Sequence, residues 1–368
     1  MKQLLVKHLS NLPGWRTKRK IVVIESDDWG SIRMPSLKIF RHLQDAGLNV
    51  AGGDSLRYNQ NDTLADAEDL DALYTTLQTI TRKYGKKPVF TAVSLVANPD
   101  FAKIETSNFQ EYYYEPFLQT LDRYGKKDAF NLWQQGVKEH LFVPEFHGRE
   151  HLNVAQWMRT LQQEEKDTRK AFDYGCWGFK PKNGNTYQAA FYVDKPTDIQ
   201  MQQSAIQEGL QLFQDIHGYQ AQLFVPPNGP INNSLEAIAA EGGIQYMSTP
   251  KVQRESLGHG KTTKHYRWLG KRNQYEQLYL TRNAFFEPSQ KGKDWVSSCL
   301  QEIDIAFTWR KPAVISSHRV NYIGGLQEKN RREGLQALLE LLSTICTKWP
   351  DVEFMTSTEL GDLISNEK

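Results

Sequence analysis

The chain has 368 residues, 39% hydrophobic and 24% charged, which suits a packed core built as one large α/β barrel or as two average domains. Its 45 Lys and Arg against 43 Asp and Glu leave a net charge of +2, so the overall balance points neither to nucleic acid nor to an anionic membrane. No apolar run approaches a membrane span. The opening MKQLLVKHLSNLPGWRTKRK puts Lys7 and His8 where a signal peptide needs an apolar core and has no small-residue cleavage site. Cys176, Cys299 and Cys346 are odd in number and far apart, which argues against a disulfide framework or a zinc knuckle, and a cytoplasmic protein is expected.

IVVIESDDWG, Ile21 to Gly30, begins with four apolar, mostly β-branched residues, the mark of a buried strand. It runs into Glu25, Asp27 and Asp28, and acids crowded at the end of a buried strand require a cation or a shared proton. A turn or capping cluster is the plainer alternative. SIRMPS is a loop, and polar sequence continues to about Asn61. Leu70, Leu73, Leu77 and Ile80 predict an amphipathic helix within 63–84, stopped by Gly85. Strands are predicted over 87–97 and 141–146, the second ending at His147, with a helix from Asn153 as N-cap. Tyr174 to Asp194 carries no assignable pattern. Ile206, Leu210 and Phe213 mark a helix ending at Gly218, AQLFVPPNG a strand running into a rigid turn, 235–240 a helix and 244–248 a strand. Alternation in YRWLG and YEQLYL around KRNQ predicts an inserted β-hairpin at 251–280. A helix over 295–307, a strand over 313–317 ending at His318, a helix over 334–346, a strand at VEFMT and a last helix over 358–364 complete the chain. Strands alternating with helices predict parallel βα units in one domain over 1–368, with chemistry at the C-terminal strand ends. Asp27, Asp28, His147, Asn228 and His318 all fall at such ends.

His147 and His151 are spaced so that a helical turn would bring both imidazoles to one metal, although a structural pair is common at this spacing. With an aspartate from the first strand they make a three-ligand set with room for water, suited to zinc, ferrous iron or another divalent ion. FVPPNG could aim backbone amides at an oxyanion, or be an ordinary turn. His318 could act as a general acid, or face solvent. Tyr266, Trp268, Tyr275 and Tyr279 could wall a sugar site, or pack the hairpin. Phosphate-cradling loops and a nucleophile elbow are absent from the sequence.

In this order, SDDWG, HGREH, FVPPNG and ISSH resemble the four motifs of the polysaccharide deacetylase family, metal-dependent carbohydrate esterases acting on chitin and peptidoglycan. The resemblance spans roughly 21–364 and implies a distorted, incomplete (β/α) barrel of the TIM type. It makes Asp27 the general base, and Asp28, His147 and His151 the ligands of a divalent metal ion, zinc first. Asn228 would offer its backbone N–H to the oxyanion, and His318 would be the general acid. Trp29, Pro227 and Arg319, beside these motifs, become the expected substrate contacts, and the substrate an N-acetylated amino sugar or a polysaccharide precursor. Three departures stand out. Glu25 adds a charge, Gly148 replaces a Ser or Thr, and Val225 stands where the family's arginine pairs with the base, leaving Arg33, Arg149 or Arg319 as substitutes. The alternatives are a non-catalytic carbohydrate-binding protein on the same barrel, or a metal-dependent C–N hydrolase of a non-sugar amide.

Overall fold

The computed structural model describes residues 2–181 and 187–367. Among these residues nine strands form one curled sheet: β1 (Ile21–Trp29), β2 (Phe90–Leu95), β3 (Phe142–Gly148), β4 (Leu223–Phe224), β5 (Tyr246–Ser248), β6 (Leu278–Leu280), β7 (Ala284–Phe285), β8 (Ala313–His318) and β9 (Glu353–Met355). Their order is β6-β5-β4-β3-β2-β1-β8-β7, every pair parallel. β9 pairs with the first residues of β1 (Ile21↔Glu353), ahead of the point where β2 takes over at Ile24↔Phe90.

The strand order itself shows that the sheet curls. β6 and β7 lie at opposite edges, yet only Thr281, Arg282 and Asn283 separate them in sequence. Four Cα steps span at most about 14 Å, so the two edges must face one another across that gap. Among the described residues no ladder joins them. The result is an incomplete (β/α) barrel, as expected.

Alternation along β1 places the site. Val22 and Ile24 turn outward against the helices Ala67–Tyr84, Trp295–Thr308 and Glu328–Lys348. Ile21 and Val23 turn inward and pack with Val93, Leu223, Leu280, Val314 and, from the last helix, Leu360. Burying each such aliphatic side chain stabilises the fold by about 1.5–3 kcal/mol. The inward series continues at the same period of two through Glu25 and Asp27, so the carboxylates stand directly above an apolar plug.

Most predicted elements are present within a few residues. The helix at 67–84 starts with a reciprocal Asp66–Asp69 capping box and stops at Gly85 in the left-handed conformation (φ 67). Asn153 caps Val154–Gln162 as predicted. The polar stretch before Asn61 instead holds the helices Leu37–Asp45 and Ser55–Asn61, and a further helix, Lys2–Ser10, opens the chain. The insertion differs in its bounds. Its hairpin pairs Val252–Gly258 with Lys261–Tyr266, whereas Leu278–Leu280 joins the main sheet. Leu278, Tyr279 and Leu280 are all buried, the continuous pattern of a parallel strand covered on both faces.

Candidate metal centre

Neighbouring side chains of a regular strand point to opposite faces, so Asp27 and Asp28 should not share a cavity. A bulge lets them. Between β1 and β2 the register moves from Ser26↔Ala92 to Trp29↔Ser94, which leaves one extra residue in β1, and Asp28 adopts a left-handed φ of 77. β3 bulges in the same way at His147, between Ser94↔Phe146 and Leu95↔Gly148. Gly148 has φ 129, a conformation side chains resist, which explains glycine at this position. The His147–His151 segment is therefore a bulge and loop rather than the helical turn that the spacing suggested, and it still brings the two rings to 5.3 Å.

Asp28, His147 and His151 are buried, and their ligand atoms lie within 4.8 Å of one another. Asp28 Oδ1 stands 3.4 Å from His147 Nε2 and 3.3 Å from His151 Nε2, and it has no hydrogen-bond partner. His147 Nδ1 lies 2.5 Å from the Val225 carbonyl oxygen, which fixes that nitrogen as the donor and leaves the Nε2 lone pair facing Asp28. His151 stacks on Trp177 (6.2 Å, 18°). An orphaned carboxylate oxygen facing two imidazole nitrogens is the donor set of a divalent cation, so these residues fit one.

Asp27 takes no part in that set. Arg282 grips it through both terminal nitrogens at 2.6 Å, while Arg282 Nε donates to Glu25 at 2.5 Å. Glu25 also accepts from Ser248 (2.9 Å) and Ser357 (2.7 Å). Burial would raise the Asp27 pKa, but the guanidinium wins and holds it below the usual carboxylate range. The arginine missing at Val225 is thus supplied by the segment that spans the barrel gap. The proposed substitutes are engaged elsewhere: Arg319 with Asp62 (2.7 Å), Arg149 with Glu150 and Glu208, and Arg33 over the Tyr58 ring (4.4 Å).

His318 Nδ1 donates to Glu287 at 2.5 Å, and its Nε2 lies 3.9 Å from Asp27. Its side chain is 27% exposed, enough to meet a ligand. Burial opposes a charged ring, but Glu287, reinforced by Asp28 and Asp27, pushes the pKa up to about 9. Glu287 is itself held by Arg57 and Asn321, each at 2.8 Å.

A cavity of about 430 Å³ opens over these groups, and Asp27, Asp28, His147, His151, Asn228 and His318 all line it. Asn228 reaches its lip in a left-handed turn (φ 56), and its neighbour Pro226, rather than Pro227, faces the space. Trp29 and Arg319 do not line the cavity. The Trp29 indole is in the core, donating to Ser26 Oγ (3.0 Å), and Arg319 is fully buried, so neither is placed to touch a substrate. Of the hairpin aromatics, Tyr279 is buried against Glu236, while Tyr266, Trp268 and Tyr275 lie outside this cavity.

Arg282 and Glu287 escaped the sequence reading. Both follow short strands, β6 and β7, and the strand-end rule would have found them had those strands been recognised.

No protein-family model and no curated protein matches the chain. Among solved structures, the chain is similar to the probable polysaccharide deacetylase of Pseudomonas aeruginosa PAO1, at 10% identity over 95% of this chain and 92% of that one, with a TM-score of 0.50. Puue allantoinase also matches, at 11% identity over 95% and 93% of the two chains, with a TM-score of 0.48. At 10% identity the likeness to the deacetylase is one of fold.

Proposed function

We propose that this chain is a metal-dependent hydrolase of the polysaccharide deacetylase family that removes the acyl group from an N-acetylated amino sugar or a polysaccharide precursor. The observation that carries the reading is the convergence of Asp28, His147 and His151 beside an arginine-held Asp27 and a carboxylate-held His318 in one cavity. The four motifs in order and the shared fold support it.

Asp28, His147 and His151 would hold the ion, with zinc the expected metal. A divalent cation there supplies Lewis-acid polarisation of the amide carbonyl and a more acidic water. Asp27, kept ionised and oriented by Arg282, accepts the proton of the attacking water. The Asn228 backbone N–H donates to the developing oxyanion. His318, protonated through Glu287, gives its proton to the leaving amine nitrogen, and the carboxylic acid and the free amine separate. The Arg282 guanidinium on Asp27 supports the catalytic reading over a non-catalytic carbohydrate-binding protein. The cysteines are free and buried, which suits a reducing compartment such as the cytoplasm.

Elemental analysis of the purified protein tests the site. About one equivalent of a transition metal per chain is expected, lost in both Asp28→Ala and His147→Ala. A deacetylation screen on N-acetylated sugars should then show turnover that chelator removes. Wild-type protein free of metal after reconstitution, or an active metal-free Asp28→Ala, would overturn the reading.

A further inference from the structure

The apolar surface of this molecule is concentrated at one place. Of the thirteen large hydrophobic side chains exposed among the described residues, Leu4, Leu5, Val6, Leu9 and Leu12 lie in or just after the opening helix. Leu5 and Leu9 are four apart on the helix and share its outward face, and the exposed Leu12 follows in the turn after it. The inner side of this helix is anchored. Lys7 pairs with Glu302 (2.8 Å), Trp309 donates to His8 (3.0 Å), and Lys251 donates to the Ser10 carbonyl (2.9 Å).

That last contact joins the helix to the hairpin, whose outer face continues the surface. Val252 and Tyr266 are opposite one another and exposed, and Trp268 follows. Beside them Arg254 and Lys264 face each other directly across the strands, both exposed. Like charges so placed repel, and among the described residues no carboxylate pairs with either. The wider charge distribution agrees. Residues 1–20 and 251–272 hold thirteen Lys and Arg and a single carboxylate, Glu255, in a chain whose totals are 45 and 43. Glu255 is buried and bonded to His265 (2.7 Å).

We infer that the opening helix and the hairpin together form a docking surface for an anionic membrane. Exposed leucines suit the acyl boundary, interfacial Trp and Tyr the headgroup level, and unpaired Arg and Lys the lipid phosphates. A nucleic acid would use the cations but give the aliphatic stripe nothing to bury against. Among the described residues no helix is long and apolar enough to cross a membrane, so the contact is with its surface. The same helix walls the cavity through Lys7 and Ser10, which sets the cavity beside that surface.

Co-sedimentation of the full chain with vesicles tests this independently of any hydrolase activity. Binding is expected to phosphatidylcholine vesicles containing roughly one-third phosphatidylglycerol, not to pure phosphatidylcholine, and should weaken as salt rises. The pairs Leu5→Glu/Leu9→Glu and Arg254→Glu/Lys264→Glu should each reduce it by roughly tenfold or more, with the melting temperature and metal content unchanged. Wild-type protein that ignores the anionic vesicles, or variants that bind them as well as wild type, would overturn the inference. So would a Leu5→Glu/Leu9→Glu protein whose only change is from dimer to monomer, which would make the stripe a self-contact.

Discussion

At the scale of single residues, the site is a balance of charge on buried groups. One guanidinium, Arg282, serves both Glu25 and Asp27. Removing one partner of a buried ion pair leaves the other uncompensated and costs about 3–5 kcal/mol. Arg282→Met should therefore lower stability by about that amount in urea unfolding and abolish turnover, while the Asp28–His147–His151 set keeps its metal. His318 offers a separate test. Its pKa, raised to about 9, keeps the ring protonated below that pH, and the proton is lost above it. Activity should fall through a basic limb near pH 9, and Glu287→Gln should move that limb down toward the ordinary imidazole range. A limb that stays in place would remove His318 from the acid role. The residue types of this site were legible in the sequence because Asp27 with Asp28, and His147 with His151, are close neighbours within two short motifs at strand ends. Arg282 was not, because its link to Asp27 spans 255 positions and no local pattern reports such a contact.

At the scale of elements, the short strands decided what could be read. Long periodic segments such as 67–84 and 328–348 announce themselves, and β1 does so through four consecutive buried aliphatics. β7 has two residues, too few for any period, whereas the equally short β4 was legible only from the turn that follows it. β6 was absorbed into an alternating stretch that looked like a hairpin. The bulges at Asp28 and His147 were likewise invisible, since a bulge is a relation between two strands and neither sequence carries it alone. Helix Asp198–His217 ends in a group that ties local structure to pH. His217 sits among Phe117, Trp133, Phe213 and Tyr219, and burial pulls its pKa down to about 3. The unfolded chain takes up this proton near pH 6.5 and the folded chain only near 3. Stability should fall as pH drops through that window, by up to roughly 1.4 kcal/mol per unit from this one group. His217→Leu should flatten the slope in acid-unfolding measurements, and an unchanged slope would show that the ring is not held neutral.

At the scale of the whole molecule, the net charge of +2 conceals a strong asymmetry. The opening segment and the hairpin are almost free of acids, and the balancing carboxylates lie elsewhere in the chain. Composition reports the sum, but surfaces respond to the distribution, which depends on two segments some 230 residues apart meeting at Ser10 and Lys251. The parallel α/β class needed only the alternation of elements. The closure of the sheet needed the strand order.

That closure bears on how the protein folds. Thr281 to Asn283 span the sheet edges only when β6 is docked at one end and β7 at the other, and the contact that Arg282 then makes with Asp27 closes a loop of 255 positions. Arg282 lies in the middle of that bridge, so Asp27 gains its partner only where the barrel edges come together. A chain with an open barrel thus has an unpaired Asp27, so the proposed base has its guanidinium only in the complete architecture.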